Sequence, residues 1–166
     1  QPEFLVVTDI DSDRLNRARR VLPPEEAEKY GVELKYVNPN QVDNPEEFLL
    51  SLVGGEGYDD VFVFAPVRSV VEQADEILGK DGCLNFFAGP TDKDFKAELN
   101  FYDVHYNSKH VVGTSGGNSD DMKRALKLMG EEKIDPAAMI THIGGINSVI
   151  DTTLDLPDIS GGKKLI

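Results

Sequence analysis

The stretch LVVTDIDSDRLNRARRV, Leu5 to Val21, reads as an apolar strand, an acid at the strand's end and a helix that opens one turn later. The strand is Phe4–Thr8, and Asp9 follows it. The helix runs from Ser12 or Asp13 to Leu22, with Leu15, Ala18 and Leu22 on one face at spacings of three and four. Pro23 and Pro24 end it, and a short helix before Gly31 leads to a strand over Glu33–Val37.

The same alternation continues. Asn44-Pro45-Glu46-Glu47 is a helix start, with Asn44 as cap, proline in the first turn and Glu47 placed for a capping box. Gly54 and Gly55 stop that helix. Asp60–Ala65 is nearly all apolar, which predicts a central strand covered on both faces. Val67–Leu78 follows as a helix with Val70, Val71, Ala74, Ile77 and Leu78 inward, then a strand over Cys83–Ala88. Residues from Gly89 to about Lys109 read as irregular. Strand His110–Thr114 leads to helix Ser119–Met129, with Leu126 and Met129 inward. Ile140–Ile143 is a short strand or bend, Asn147–Leu154 a further helix, and GGKKLI a terminal strand. Strands separated by single helices specify right-handed crossovers, so the expected fold is α/β with a doubly wound parallel sheet of Rossmann type.

The chain has 166 residues, enough for one domain with a sizeable core. Thirty acids against 17 bases give a net charge of −13. That disfavours nucleic acid and anionic membranes as partners, because phosphate surfaces need a basic face. No apolar run reaches the ~18 residues of a membrane span, and QPEFLVV is no secretory signal. The single cysteine, Cys83, has no internal disulfide partner and reads as a small buried hydrophobe. A cytoplasmic location is expected.

Asp9 is the first candidate for chemistry. In dinucleotide-binding folds an acid at the tip of the second strand accepts hydrogen bonds from the adenosine ribose hydroxyls. A carboxylate there favours NAD and repels the 2′-phosphate of NADP. The plain alternative is helix capping, which accounts for Asp11 and Asp13 better than for Asp9. Arg14, in the first helical turn, either meets the ribose from the other side or is an ordinary solvated arginine. The turns after three later strands hold Ala65 and Pro66, Ala88 and Gly89, and Gly113, Thr114 and Ser115. Ligands of open parallel sheets bind beyond the carboxyl ends of strands, so these turns are expected to face one crevice, although glycine and proline are common in such turns for purely conformational reasons. The spacing of His105, His110 and His142 fits no metal site. No nucleophile elbow and no P-loop are present, and Ser115 has no base assigned to it. No catalytic residue is expected in this chain.

Taken together, DIDSDRLNRARRV, VFVFAPV, GCLNFFAGP and VVGTSGGNSDDMKRALKLM resemble the cofactor domain of zinc-type medium-chain dehydrogenases, and KIDPAAMITHIGG with GGKKLI is similar to that family's end. The VGTSGGN turn and THIGGI look most like the sorbitol- or sorbose-phosphate branch. The resemblance implies that Asp9 binds the adenosine ribose with Arg14 beside it, and that Ala65, Pro66, Ala88, Gly89, Gly113, Thr114 and Ser115 approach the nicotinamide half. The family's usual valine-glycine appears here as Ala65-Pro66, which removes one backbone donor. It further implies a parent enzyme that moves hydride between NAD and a polyol or its phosphate, with zinc polarising the alcohol oxygen.

Both the family's N-terminal catalytic zinc domain and the first strand with its GxGxxG turn would lie upstream of Gln1. Residues 1–166 are therefore expected to be a partial dinucleotide-binding domain, inactive alone and weak in NAD binding. The missing strand would leave Phe4–Thr8 and Val61–Ala65 without a shared neighbour, to be met by closing the sheet, by a strand from another copy or by a retained upstream piece. Homo-oligomers are expected through late edge strands between His110 and Ile146. Two other readings stay open: a zinc-free quinone reductase of the same superfamily, and a receiver-like signalling module built on Asp9 and Asp11.

Overall fold

A computed structural model describes residues 2–166. The chain forms two compact units, one from Gln1–Pro39 with Gly117–Ile166, the other from Asn40–Gly116.

In the first unit, β1 (Phe4–Thr8) and β2 (Glu33–Val37) pair in parallel, Phe4 opposite Glu33 through Thr8 opposite Val37. Between them run α1 (Ser12–Val21) and α2 (Pro24–Glu28). Leu15 of α1, Ala27 of α2 and Leu34 of β2 are buried. The Tyr36 hydroxyl meets the carbonyls of Ala18 and Leu22 at 3.2 and 2.9 Å and so fastens the end of α1 to β2. The same unit carries α6 (Ser119–Gly130), β6 (Ile140–Ile143), α7 (Val149–Leu154) and β7 (Lys163–Leu165), with β6 and β7 parallel. Asn118 caps α6 in a full capping box with Asp121.

The second unit holds α3 (Pro45–Ser51), β3 (Tyr58–Val63), α4 (Arg68–Ile77), β4 (Leu78–Phe86), α5 (Phe101–Tyr106) and β5 (His110–Gly113). Its sheet has the order β3-β4-β5, all parallel. Val63, Val71, Ala74, Leu78 and Leu84 form the core, with Phe86, Phe95, Ala97 and Leu99 packed against it. Gly57 enters this sheet with φ +82, and a Cβ there would lie 2.6 Å from the Gly79 Cα, so only glycine fits.

The expected α/β fold with parallel strands is present. Its strands stand in three sheets, however, and β1 and β3 belong to different ones. Several local expectations need correction. The outer face of β3 is open: Phe62 is 58 % exposed and Phe64 is exposed too. Leu126 of α6 is 66 % exposed, not inward. Leu78 is buried but begins β4, because α4 runs straight into the strand. Cys83 is only half-buried. The stretch read as irregular contains α5, capped by Asn100.

Tyr58 ties β3 to α3 by donating to the Leu49 carbonyl at 2.8 Å, and burial pushes its phenol up to about 12. The unfolded phenol ionises near pH 10. Folding stability from this group is therefore full below pH 10 and falls as the pH rises from there towards 12. Tyr58→Phe is expected to flatten that alkaline slope, at a cost near neutrality of about 1 kcal/mol for the lost hydrogen bond. Thermal midpoints of both proteins between pH 8 and about 11.5 check it; parallel slopes refute it.

Candidate functional site

Asp9 lies immediately beyond β1, where its amide still bonds the Val37 carbonyl at 3.3 Å. Its Oδ1 accepts the Asp11 amide at 2.9 Å, which closes the strand-to-helix turn. Its Oδ2 stands 3.9 Å from Arg14 Nη1. Asp11 is the true cap of α1, accepting from the amides of Asp13 and Arg14, and its Oδ2 lies 3.5 Å from Arg14 Nε. Capping thus accounts for Asp11 and leaves one oxygen of Asp9 to face Arg14. The Asp9 side chain keeps 30 % exposure, so a hydroxyl pair can reach it from solvent.

One residue of this corner escaped the sequence reading. Asn38, directly after β2, donates from Nδ2 to the Ile10 carbonyl at 3.0 Å and to Ser12 Oγ at 2.9 Å. It pins the Asp9–Ser12 turn from the neighbouring strand. The available signal was a polar residue just past the carboxyl end of a parallel strand, the edge at which such sheets hold ligands.

In the second unit, Val63 pairs with Phe86 and Phe86 with Gly113. The three turns therefore leave the sheet at one edge. At the first, Val67 N–H donates to the Ala65 carbonyl at 2.8 Å, a tight reversal around Pro66. At the second, the amides of Phe87 and Ala88 both donate to the Val63 carbonyl at 3.0 Å; Ala88 is buried and Gly89 exposed. At the third, the Thr114 amide donates to the Phe86 carbonyl at 3.3 Å, its hydroxyl donates to Asn85 Oδ1 at 3.2 Å, and Ser115 is exposed. A Cβ added at Gly89 or Gly113 would meet nothing within 4 Å, so a flat ring can approach the backbone there. The structure thus brings Ala65, Pro66, Ala88, Gly89, Gly113, Thr114 and Ser115 to one edge of the second unit. Asp9 and Arg14 form their own corner in the first.

No group of three or more His, Cys, Asp or Glu among the described residues could hold a metal. His110 instead lies 3.3 Å from Asp81 and His142 2.9 Å from Thr141. A cleft of about 190 Å³ on the β6–β7 module is lined by His142, Ile143, Ser148, Lys164 and Leu165 among others, and none of the candidate residues contributes to it. Lys164 there is a structural cation, donating to the carbonyls of Ile159, Ser160 and Gly162. No helix among the described residues is long and apolar enough to cross a membrane.

Comparison with known proteins gives the same fold. The benzyl alcohol dehydrogenase of Acinetobacter calcoaceticus superposes with a TM-score of 0.72 over 97% of this chain and 41% of that one, at 14% identity. In sequence, the mannitol-1-phosphate 5-dehydrogenase of Aliivibrio fischeri is 54% identical over all of this chain. The L-sorbose 1-phosphate reductase of Klebsiella pneumoniae is 48% identical over 99% of it. The chain spans 39% of the length of each of these two relatives. The family model described as zinc-binding dehydrogenase matches residues 5–131, most of the sequence, and the chain accordingly belongs to the zinc-binding dehydrogenase family.

Proposed function

We propose that this chain is the NAD-binding portion of a zinc-dependent dehydrogenase that moves hydride between NAD and a polyol or, more specifically, a polyol phosphate. The observation that carries the reading is the 54% and 48% identity, along essentially the whole chain, to relatives named for hexitol or ketose phosphates. The geometry supports a cofactor role: a carboxylate at the end of β1 with an oxygen turned to Arg14, and open backbone at Gly89 and Gly113. Asp9 and Arg14 take the adenosine ribose. Ala65, Pro66, Ala88, Gly89, Gly113, Thr114 and Ser115 take the nicotinamide half.

Zinc would supply polarisation of the alcohol oxygen. The donor sets of the described residues do not fit it, so its ligands belong to other parts of the protein. Copies associate through late edge strands between His110 and Ile146, where Ile143 and Ile146 are exposed. The enzyme works in the cytoplasm.

The test uses the full-length gene product with NAD and a set of hexitols and hexitol phosphates, read as NADH absorbance. NAD-linked oxidation of a phosphorylated hexitol is expected. Reduction of quinones with NADPH, and no polyol turnover, overturns the reading in favour of a zinc-free reductase. Residues 1–166 alone are expected to bind NAD only weakly; micromolar affinity by calorimetry contradicts that.

A further inference from the structure

Resting on the polyol-phosphate reading above, we infer that Lys93 receives the phosphate of the substrate and so sets the preference for phosphorylated over free polyols. A dianion needs a cation near the reacting end of the sheet, and the second unit offers few. Arg68 is committed, with Nε 2.6 Å from Glu72 and Nη2 2.6 Å from Glu98. Lys109 is buried. Lys80 lies near the start of β4, away from the carboxyl edge. Lys93 and Lys96 remain, and neither makes an ion pair or hydrogen bond among the described residues.

The path of the loop separates these two. After Gly89 the chain passes through Pro90–Asp94 and then turns back: Phe95 stacks on Phe86 at 5.8 Å, Ala97 and Leu99 pack on the core, and the Glu98 amide bonds Glu72 Oε1 at 3.0 Å. Lys93 therefore stands in the turn, at the carboxyl edge. Lys96 stands on the returning limb between two inward residues. Four residues of backbone reach at most about 14 Å from Gly89, so the ammonium can stand roughly one sugar phosphate away from the nicotinamide turn. The turn is fixed by Asp92 Oδ1, which accepts the Asp94 amide at 2.9 Å. Asp92 and Asp94 flank the lysine, so its loss takes the net charge of Asp92–Asp94 from −1 to −2 and deepens the repulsion of a dianion.

The full-length protein is assayed with a hexitol 1-phosphate, the free hexitol and NAD, in wild type, Lys93→Gln, Lys93→Arg and Lys96→Gln. For Lys93→Gln the expected result is a KM for the phosphate ester raised roughly 10- to 100-fold, the scale of one lost charge-assisted hydrogen bond. KM for NAD and for the free hexitol, and kcat, stay near wild type. Competitive inhibition by inorganic phosphate weakens in parallel, Lys93→Arg restores most of the affinity, and Lys96→Gln behaves as wild type. Equal losses on both hexitols, no loss, or the same selective loss in Lys96→Gln overturns the role of Lys93 and leaves the polyol-phosphate reading standing. If the wild type turns over neither hexitol with NAD, that reading falls and this one with it.

Discussion

Lys109→Met is expected to destabilise the Asn40–Gly116 unit by about 3–5 kcal/mol, the usual penalty for removing one member of a buried charge pair. Lys109 and Asp75 are 7 % and 5 % exposed. The ammonium lies 3.6 Å from Asp75 Oδ1 and 3.5 Å from Asp103 Oδ2, and donates to the Asp75 carbonyl at 2.6 Å. Asp75 Oδ2 accepts the Asn100 amide at 2.7 Å, whereas Oδ1 has no hydrogen bond among the described residues. Methionine fills much the same space and leaves that carboxylate buried without its cation. Because domain stability is commonly 5–15 kcal/mol, this loss is a large share of the total. The double variant Lys109→Met with Asp75→Asn keeps an acceptor for the Asn100 amide and removes both charges, so it is expected to recover most of the loss. Urea midpoints followed by circular dichroism measure both. A double variant no better than Lys109→Met shows that packing, not unpaired charge, sets the cost.

This cluster also shows where the sequence stops being legible. Local signals read well: β1 and β2 have the expected bounds, Asn44 accepts the Glu47 amide at 3.3 Å, and Asn118 opens α6. Each depends on residues within a few positions of one another. Asp75 and Lys109 are 34 positions apart, and nothing in either segment announces the other. Helix α5 did carry a signal, Asn100 followed three positions later by Asp103, but six residues are too few for periodicity to register. The faces of Phe62 and Leu126 mark a different limit. Periodicity identifies an apolar face, not the element that covers it. The turn residues of the candidate site are legible as turns because they follow strand ends, and the Asp92–Asp94 turn is not, because it falls in a stretch without period.

The Asp9 corner yields the second large effect. Asp9→Asn keeps the side-chain acceptor that bonds the Asp11 amide at 2.9 Å, and therefore keeps the turn, while it removes the charge. In the proposed complex that carboxylate accepts the ribose hydroxyls of NAD and repels the extra phosphate of NADP. Two unit charges about 4 Å apart interact by ~4 kcal/mol near a protein surface, and the 30 % exposure of Asp9 reduces this. The ratio of kcat/KM for NAD to that for NADP is accordingly expected to fall by about a hundredfold, near 2.7 kcal/mol. Arg14 adds to the shift. Its Nη1 is 3.9 Å from Asp9 in the free protein, and once that acid is neutral this end of the guanidinium can turn to a 2′-phosphate while Nε stays beside Asp11. Adding Arg14→Ala to Asp9→Asn should remove the gain in NADP use and weaken NAD use by the ribose contact that Arg14 makes. Steady-state kinetics of the full-length enzyme with both cofactors separates the two contributions. A ratio that stays within about threefold of wild type in Asp9→Asn means that the cofactor's ribose lies elsewhere and that Asp9 serves only the turn.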